Sequence, residues 1–299
     1  MTTTQYILTF FIFCVVLFLY LHIHFHLKTA DDLEVYELDA LPPKEKMEEI
    51  CDFRQPVKFF YGGEMVERIS LEELEKTYGA FDVQVRDLGT EKDETRERYL
   101  PFLFREGIEL FRNDACGNYI TERNDDFLVE TGVVKEFRKN DLYLRPPMVS
   151  KCGYDFICGA NGVKTPLQYM NYYRHFIMPT FGACDIILIP PVSSKYLNET
   201  KDYEYGEYAS PINPWNPDKT NIDFEKAKIM KVRLEKGEML YIPAYWWFSI
   251  SLDGVSSLVS LKYRTYMNAI AISPTIIMEM LQKQNIRRET IQKMGITNF

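Results

Sequence analysis

The stretch KGEMLYIPAYWWFSI, residues 236–250, decides the fold. Gly237 supplies a turn and Pro243 ends the apolar run 239–242, so four apolar residues stand between two chain breakers. A run that short reads as a buried strand rather than a helix. Trp246 and Trp247 follow at once, and their bulk reads as packing rather than as contact with a ligand. Working outward, the same punctuation recurs. Runs 154–158, 186–189, 229–234 and 255–263 are short, apolar or alternating, and bounded by Gly or Pro. Such a series predicts a mainly β chain folded as an antiparallel sandwich or barrel. The 20 Tyr and 20 Phe favour a β-rich core over a helical bundle.

The N-terminal half adds flanking helices. Residues 56–60 (PVKFF) and 82–86 (DVQVR) read as strands. Between them, 70–79 reads as a helix with Ser70 as N-cap, Glu73 completing a capping box and Gly79 as stop. A second helix is expected over 99–111, with Pro101 near its start. Acidic, Pro-containing residues 29–50 read as a tether. DYEYGEY at 202–208 reads as a loop, a candidate lid or binding surface. A helical tail, 271–299, begins with Ser-Pro at 273–274, an N-cap followed by proline at the first position.

Residues 6–27, YILTFFIFCVVLFLYLHIHFHL, contain no Asp, Glu, Lys or Arg. That length crosses about 30 Å of hydrocarbon as a helix, and Tyr6 and Tyr20 lie near its ends, where such rings favour the interface. No Lys or Arg precedes Tyr6, and the Lys-Thr-Ala-Asp-Asp that follows is a poor cleavage site, so residues 1–28 read as an uncleaved anchor rather than a signal peptide. His22, His24 and His26 alternate; on a helix they splay apart and read as interfacial residues, not a chelating set. Lys28, the one basic residue beside the run, puts the domain on the cytosolic side.

Composition excludes some functions. The net charge of −8 lacks the basic footprint of a nucleic-acid binder. Five cysteines lie outside the apolar run, none in a CxxC pair, so neither a zinc site nor a disulfide framework is signalled.

Three stretches together resemble the Jumonji-C (JmjC)/cupin-like family of 2-oxoglutarate oxygenases. Residues 156–170, FICGANGVKTPLQYM, are similar to the family's strand, glycine turn and Thr-Pro-Leu-His-x-Asp. Residues 176–191, FIMPTFGACDIILIPP, resemble its strand pair ending in Pro-Pro. Residues 236–250 resemble its Gly-Asp-x-Leu-Phe-Ile-Pro-x-x-Trp-Trp-His-x-Val, and 210–235 resemble the lead-in. The likeness covers residues 50–265, and it implies a double-stranded β-helix (cupin/jelly-roll) core over 51–270. Their order and spacing carry the resemblance; one piece alone would not.

The resemblance also implies a chemistry that these residues do not match. Family members hold Fe(II) with two histidines and a carboxylate. The first histidine position falls on Gln168, the carboxylate position on Met170 and the distal histidine position on Phe248. The lysine that pairs with 2-oxoglutarate falls on Cys184, while Thr165 keeps a hydroxyl that helps bind that acid. Beyond the apolar run the sequence has one histidine, His175, in a stretch one residue longer than the usual pattern. These readings lead to a pseudo-oxygenase: a membrane-tethered scaffold that needs no cofactor and binds a protein partner, with homodimerisation through the C-terminal helix as a family habit. The alternatives are an atypical Fe(II)/2-oxoglutarate hydroxylase or demethylase built on His175 with Asp185 or Asn171, and a structural membrane component with no pocket.

Overall fold

The computed structural model describes residues 3–89, 99–217 and 223–296, with side chains to residue 284. Part of the lead-in, 218–222, and the last three residues of the tail lie outside the described residues. The chain opens with helix α1 (Thr3–Leu27), whose apolar side chains are exposed over most of its length. At 1.5 Å per residue it is about 37 Å long, and it is long and apolar enough to cross a membrane.

Residues 29–50 are not the tether that their composition predicts. Strand β1 (Tyr36–Leu38) adds to the sheet, and helix α2 (Lys44–Asp52) buries Met47 and Cys51. Asp32 accepts from Gln55 and Asp31 from the backbone of Val192, so the acidic residues anchor this segment to the domain. Strand β2 (Val57–Phe60) and helices α3 (Glu64–Arg68) and α4 (Leu71–Tyr78) follow. Ser70 caps α4 through the Glu73 amide, as its sequence predicts. Strand β3 (Asp82–Asp87) also lies where expected.

The helix expected over 99–111 starts late. Residues Leu100–Leu103 form strand β4 antiparallel to β3, with Pro101 inside it, and helix α5 runs Phe104–Asn113. Proline is tolerated there because β4 is an edge strand. Strand β5 (Tyr119–Thr121) and helices α6 (Asp125–Glu130) and α7 (Val134–Asn140) complete the flank.

The barrel strands are β6 (Val149–Gly159), β7 (Leu167–Tyr169), β8 (Arg174–Ile189), β9 (Thr200–Asp202), β10 (Glu207–Ser210), β11 (Met230–Leu234), β12 (Glu238–Pro243) and β13 (Trp247–Thr265). Two of them organise the rest. β13 pairs along its length with β8, and on its other side with β7 near its start and β6 over its second half. β8 pairs with β12 through its first residues and with β11 through its last. Each long strand thus serves two neighbours in turn and bends midway, at Gly182 (φ +72°) and at the irregular pairing between Asp253 and Ser257. A side chain at Gly182 would overlap Ser256. Bending long strands at such points rolls one ladder into a double-stranded β-helix. The segment 202–208 is the turn of a hairpin: residues 203–206 join β9 to β10 through Gly206, and the ends of the segment belong to the two strands. Helix α8 (Tyr266–Ala271), capped by Thr265, leads directly into α9 (Ser273–Ile296), so Ser273 starts the helix rather than capping it.

The helices cover one face of the barrel. Phe104 meets Phe156 edge-on at 5.8 Å, and Phe137 lies 5.2 Å from Tyr154. Buried Asp141 binds this layer together, accepting from the Tyr154 hydroxyl at 2.6 Å and the Tyr263 hydroxyl at 2.9 Å and pairing with Arg145 at 2.7 Å. Trp246 and Trp247 are fully buried packing residues; the Trp247 indole donates to Ser194.

Candidate functional site

A cavity of about 590 Å³ opens inside the barrel, between β6, β7, β8 and β13. Its wall follows from strand periodicity. Alternate residues of β13 (Phe248, Ile250, Ser260, Lys262 and Arg264) line it. The intervening Val259, Leu261 and Tyr263 are buried on the opposite face, toward the helices. The hairpin β9–β10 and Glu279 of α9 border the cavity, held together by the Tyr208 hydroxyl donating to Glu279 at 2.7 Å.

Four of the five family-motif positions converge here. Thr165, Gln168, Met170 and Phe248 all line the cavity, and Gln168 and Phe248 are directly opposed partners across β7 and β13. Met170 lies two residues beyond Gln168, on the same face. Cys184 is not in the wall. It sits beyond the Gly182 bend, opposite Leu234 and Leu252, in the apolar core, and burial pushes its thiol up. The bend changes which face the later β8 residues present, so the motif position and the cavity separate.

His175 is fully buried, not half-exposed. Its Nε2 is 2.9 Å from the Ser260 hydroxyl, its ring lies 5.3 Å from that of Phe248, and its Nδ1 has no hydrogen-bond partner. Burial, helped by the charge of Lys262, holds its pKa well below the usual value, so the ring is neutral. Asp185 cannot join it: that carboxylate sits on the far half of β8, paired with Lys231 at 2.9 Å and Arg233 at 3.7 Å. Asn171 does line the cavity, but its Oδ1 accepts from Arg264. Asp155, opposite Ser260, accepts backbone N–H bonds from Arg123 and Asn124, both at 3.0 Å. Burial raises its carboxyl to about 6 against the pull of Lys262 and those two amides.

Sequence reasoning missed Lys262. It sits opposite His175 on one side and Gly153 on the other, and it lines the cavity. The signal was present in the alternation of 258–264, where Ser260, Lys262 and Arg264 form one face. A polar face on a strand reads as the solvent side unless the strand is known to wrap a cavity.

A ferrous site does not fit these residues. Gln168 offers a neutral amide, Met170 a soft thioether and Phe248 no donor atom. Among the described residues, no group of three or more His, Cys, Asp or Glu is gathered to hold a metal ion.

With this geometry in view, the sequence comparisons bear on the class. Residues 63–269 match the cupin-like domain family, and the chain belongs to that family. HSPB1-associated protein 1 from Rattus norvegicus is 34% identical over 101 residues, 33% of this chain and 21% of that protein. The Homo sapiens protein of the same name is 33% identical over 101 residues, with the same shares. The match therefore spans about a fifth of the length of these curated relatives.

Proposed function

We propose that the chain is a membrane-anchored cupin-like protein that uses the barrel cavity for binding, without iron and without oxygenase chemistry. The observation that carries this reading is the donor set. The three positions that face one another where the family holds its metal are an amide, a thioether and a phenyl ring, with one neutral imidazole beside them. Replacing charged metal ligands by neutral groups keeps the barrel without buried charge to compensate. The cavity remains, which favours a binding role over the fold serving as bulk.

The test uses the full chain in detergent micelles under anaerobic conditions. Titration with Fe(II) and with Mn(II), followed by 2-oxoglutarate consumption in air, is expected to give neither stoichiometric metal nor turnover. One tightly held metal per chain together with decarboxylation of the keto acid would overturn the reading.

The anchor rests on α1, whose apolar surface is unpaired along the 18-residue core of the span. Alkaline carbonate is expected to leave the chain in the membrane pellet with its N-terminus intact. Release into the supernatant, or a mature N-terminus after Leu27, would refute anchoring. Placement of the domain on the cytosolic side rests on Lys28, and protease protection in sealed vesicles tests it. The relatives are named for association with another protein, which supports a protein partner for this domain as well.

A further inference from the structure

Most of the buried or half-buried charged groups around the cavity are accounted for by partners, while Asp125, Lys151 and Lys283 lie exposed at its rim. Arg123 pairs with Glu207 at 2.7 Å, and Glu122 with Arg86 at 2.8 Å. Asp155 is held by two backbone amides, and Arg264 donates to Asn171 while lying 4.7 Å from the centre of the Tyr172 ring. Lys262 is the exception in the interior. Among the described residues it has neither a hydrogen bond nor an ion pair, although it is partly buried on the cavity wall. Beside it, His175 Nδ1 is buried with no partner, and the Gln168 amide makes no side-chain hydrogen bond among the described residues. A lone ammonium in a concave site is an unfilled demand for an acceptor, and the buried imidazole nitrogen beside it is a second polar atom left without a partner. Much of the rest of the lining is apolar: Phe248, Met170, Ile157, Ile177 and Ile250.

We propose that this cavity binds a small monocarboxylate with an apolar body, its carboxylate on Lys262 and its body against Phe248 and the neighbouring isoleucines. The proposal rests on the metal-free reading above and adds the ligand class. The Thr165 hydroxyl, whose oxygen already accepts from the Ile250 amide, keeps its proton to donate, as does the Gln168 amide. Among the described residues, the other cations of the lining without a partner, Lys151 and Lys283, are exposed at its rim, so a second carboxylate finds no partly buried cation of its own and a monoacid fits better than a dicarboxylate such as 2-oxoglutarate. Gly153, the cross-strand partner of Lys262, leaves open the space that such a ligand needs. A Cβ there would meet the Lys262 Cβ at 3.6 Å, in ordinary contact, so a larger side chain would enter the cavity without straining the backbone.

The test is calorimetric titration of the full chain in detergent micelles with 4-phenylbutyrate, its neutral amide 4-phenylbutyramide, and 2-oxoglutarate, with empty micelles subtracted. The acid is expected to bind at least about tenfold more tightly than the amide, the size of one charge-assisted hydrogen bond, and more tightly than 2-oxoglutarate. Lys262→Met should bring acid and amide within about twofold of each other, Lys262→Arg should keep the preference, and Gly153→Val should abolish binding of both. Equal binding of acid and amide by the wild-type chain, no binding of either, or a preference that survives Lys262→Met would each overturn the proposal. Repeating the titration with Fe(II) separates the two readings. Acid binding that appears only with iron refutes the metal-free function. Absence of acid binding with and without iron refutes this ligand class and leaves that function standing.

Discussion

If Phe248 is the wall of a cavity rather than a plug in a closed core, truncating it should cost less than truncating an equally buried phenylalanine elsewhere. Phe104 is the matched control. Both rings are essentially inaccessible, at 1% and 0% exposure. Phe104 is enclosed by Phe127 at 5.2 Å and Phe156 at 5.8 Å, whereas Phe248 lines the 590 Å³ cavity and has His175 as its aromatic neighbour. Phe→Ala removes about 100 Å³ of side chain, and a void that stays empty costs about 24 cal/mol per Å³, hence about 2.4 kcal/mol beyond the transfer free energy. At Phe104 both contributions apply, and Phe104→Ala should cost about 5 kcal/mol. At Phe248 the new space joins a polar-walled cavity that water can enter, so the void contribution largely disappears. Phe248→Ala should then cost about 2–3 kcal/mol, the transfer part alone. Urea unfolding of the full chain in micelles, followed by tryptophan fluorescence and circular dichroism, measures both. A Phe248→Ala cost equal to that of Phe104→Ala within about 0.5 kcal/mol would mean that the ring seals a closed core, and the binding role would lose its pocket.

Three other outcomes follow from named contacts. Opposed residues in an antiparallel pair hold their Cβ atoms about 5 Å apart, close enough for two imidazoles to reach one metal, so Gln168→His with Met170→Asp and Phe248→His should create a Mn(II) site visible by electron paramagnetic resonance. A silent triple variant that remains folded would show that the cavity no longer has the spacing of a metal site. Asp155 has a folded pKa of about 6 against an ordinary 3.8. The folded chain therefore binds the extra proton, and stability attributable to this group falls as pH rises from about 4 to about 6, by about 3 kcal/mol in all; Asp155→Asn should flatten that segment of the pH–stability curve, and an unchanged slope would refute the assignment. Asp141→Ala leaves the hydroxyls of Tyr154 and Tyr263 and the Arg145 guanidinium without their shared acceptor, which should cost about 3–5 kcal/mol in urea unfolding; a cost below about 1 kcal/mol would show that water replaces the carboxylate.

Much of the fold was legible because its strands announce themselves. β2, β3, β11 and β12 are alternating or apolar runs closed by Gly or Pro, and they lie where those signals put them. The long strands were read as fragments because their bends look like endings. Gly182 and Gly254, both at φ +72°, occupy backbone conformations that usually mark turns, and Pro179 lies inside β8 as well. Locally these are breakers; only the pairing across β8 and β13 shows that the chain continues through them. The tether, and the strand ends that flank the 203–206 turn, went unread for the opposite reason. Their polar composition is that of exposed chain, but both are fixed by sheet pairing that depends on distant partners, β2 for one and β7 for the other.

The candidate site shows where reading by motif stops. Position-by-position likeness located Thr165, Gln168, Met170 and Phe248 at the cavity, because short strands keep their register and register keeps their face. The same likeness put the cosubstrate position on Cys184, which lies in the apolar core, and it had no reason to notice Lys262, since no motif passes through it. Yet in physical terms Lys262 carries more information than the four motif residues. Their neutrality is what the proposed metal-free reading rests on. A partly buried ammonium with no direct ion pair or hydrogen bond says what it is short of, because such a charge, attracted only at a distance by Asp155, persists in a folded wall at a cost that water or a ligand must offset. The polar face of β13, Ser260 to Arg264, is thus an inner wall that is kept polar. A barrel kept only as bulk would gain stability from an apolar residue at position 262, so Lys262→Met should raise the unfolding midpoint in the absence of ligand if the lysine serves binding. A lower midpoint would show that Lys262 is held for structure, through its attraction to Asp155, and would remove the main reason to look for a carboxylate.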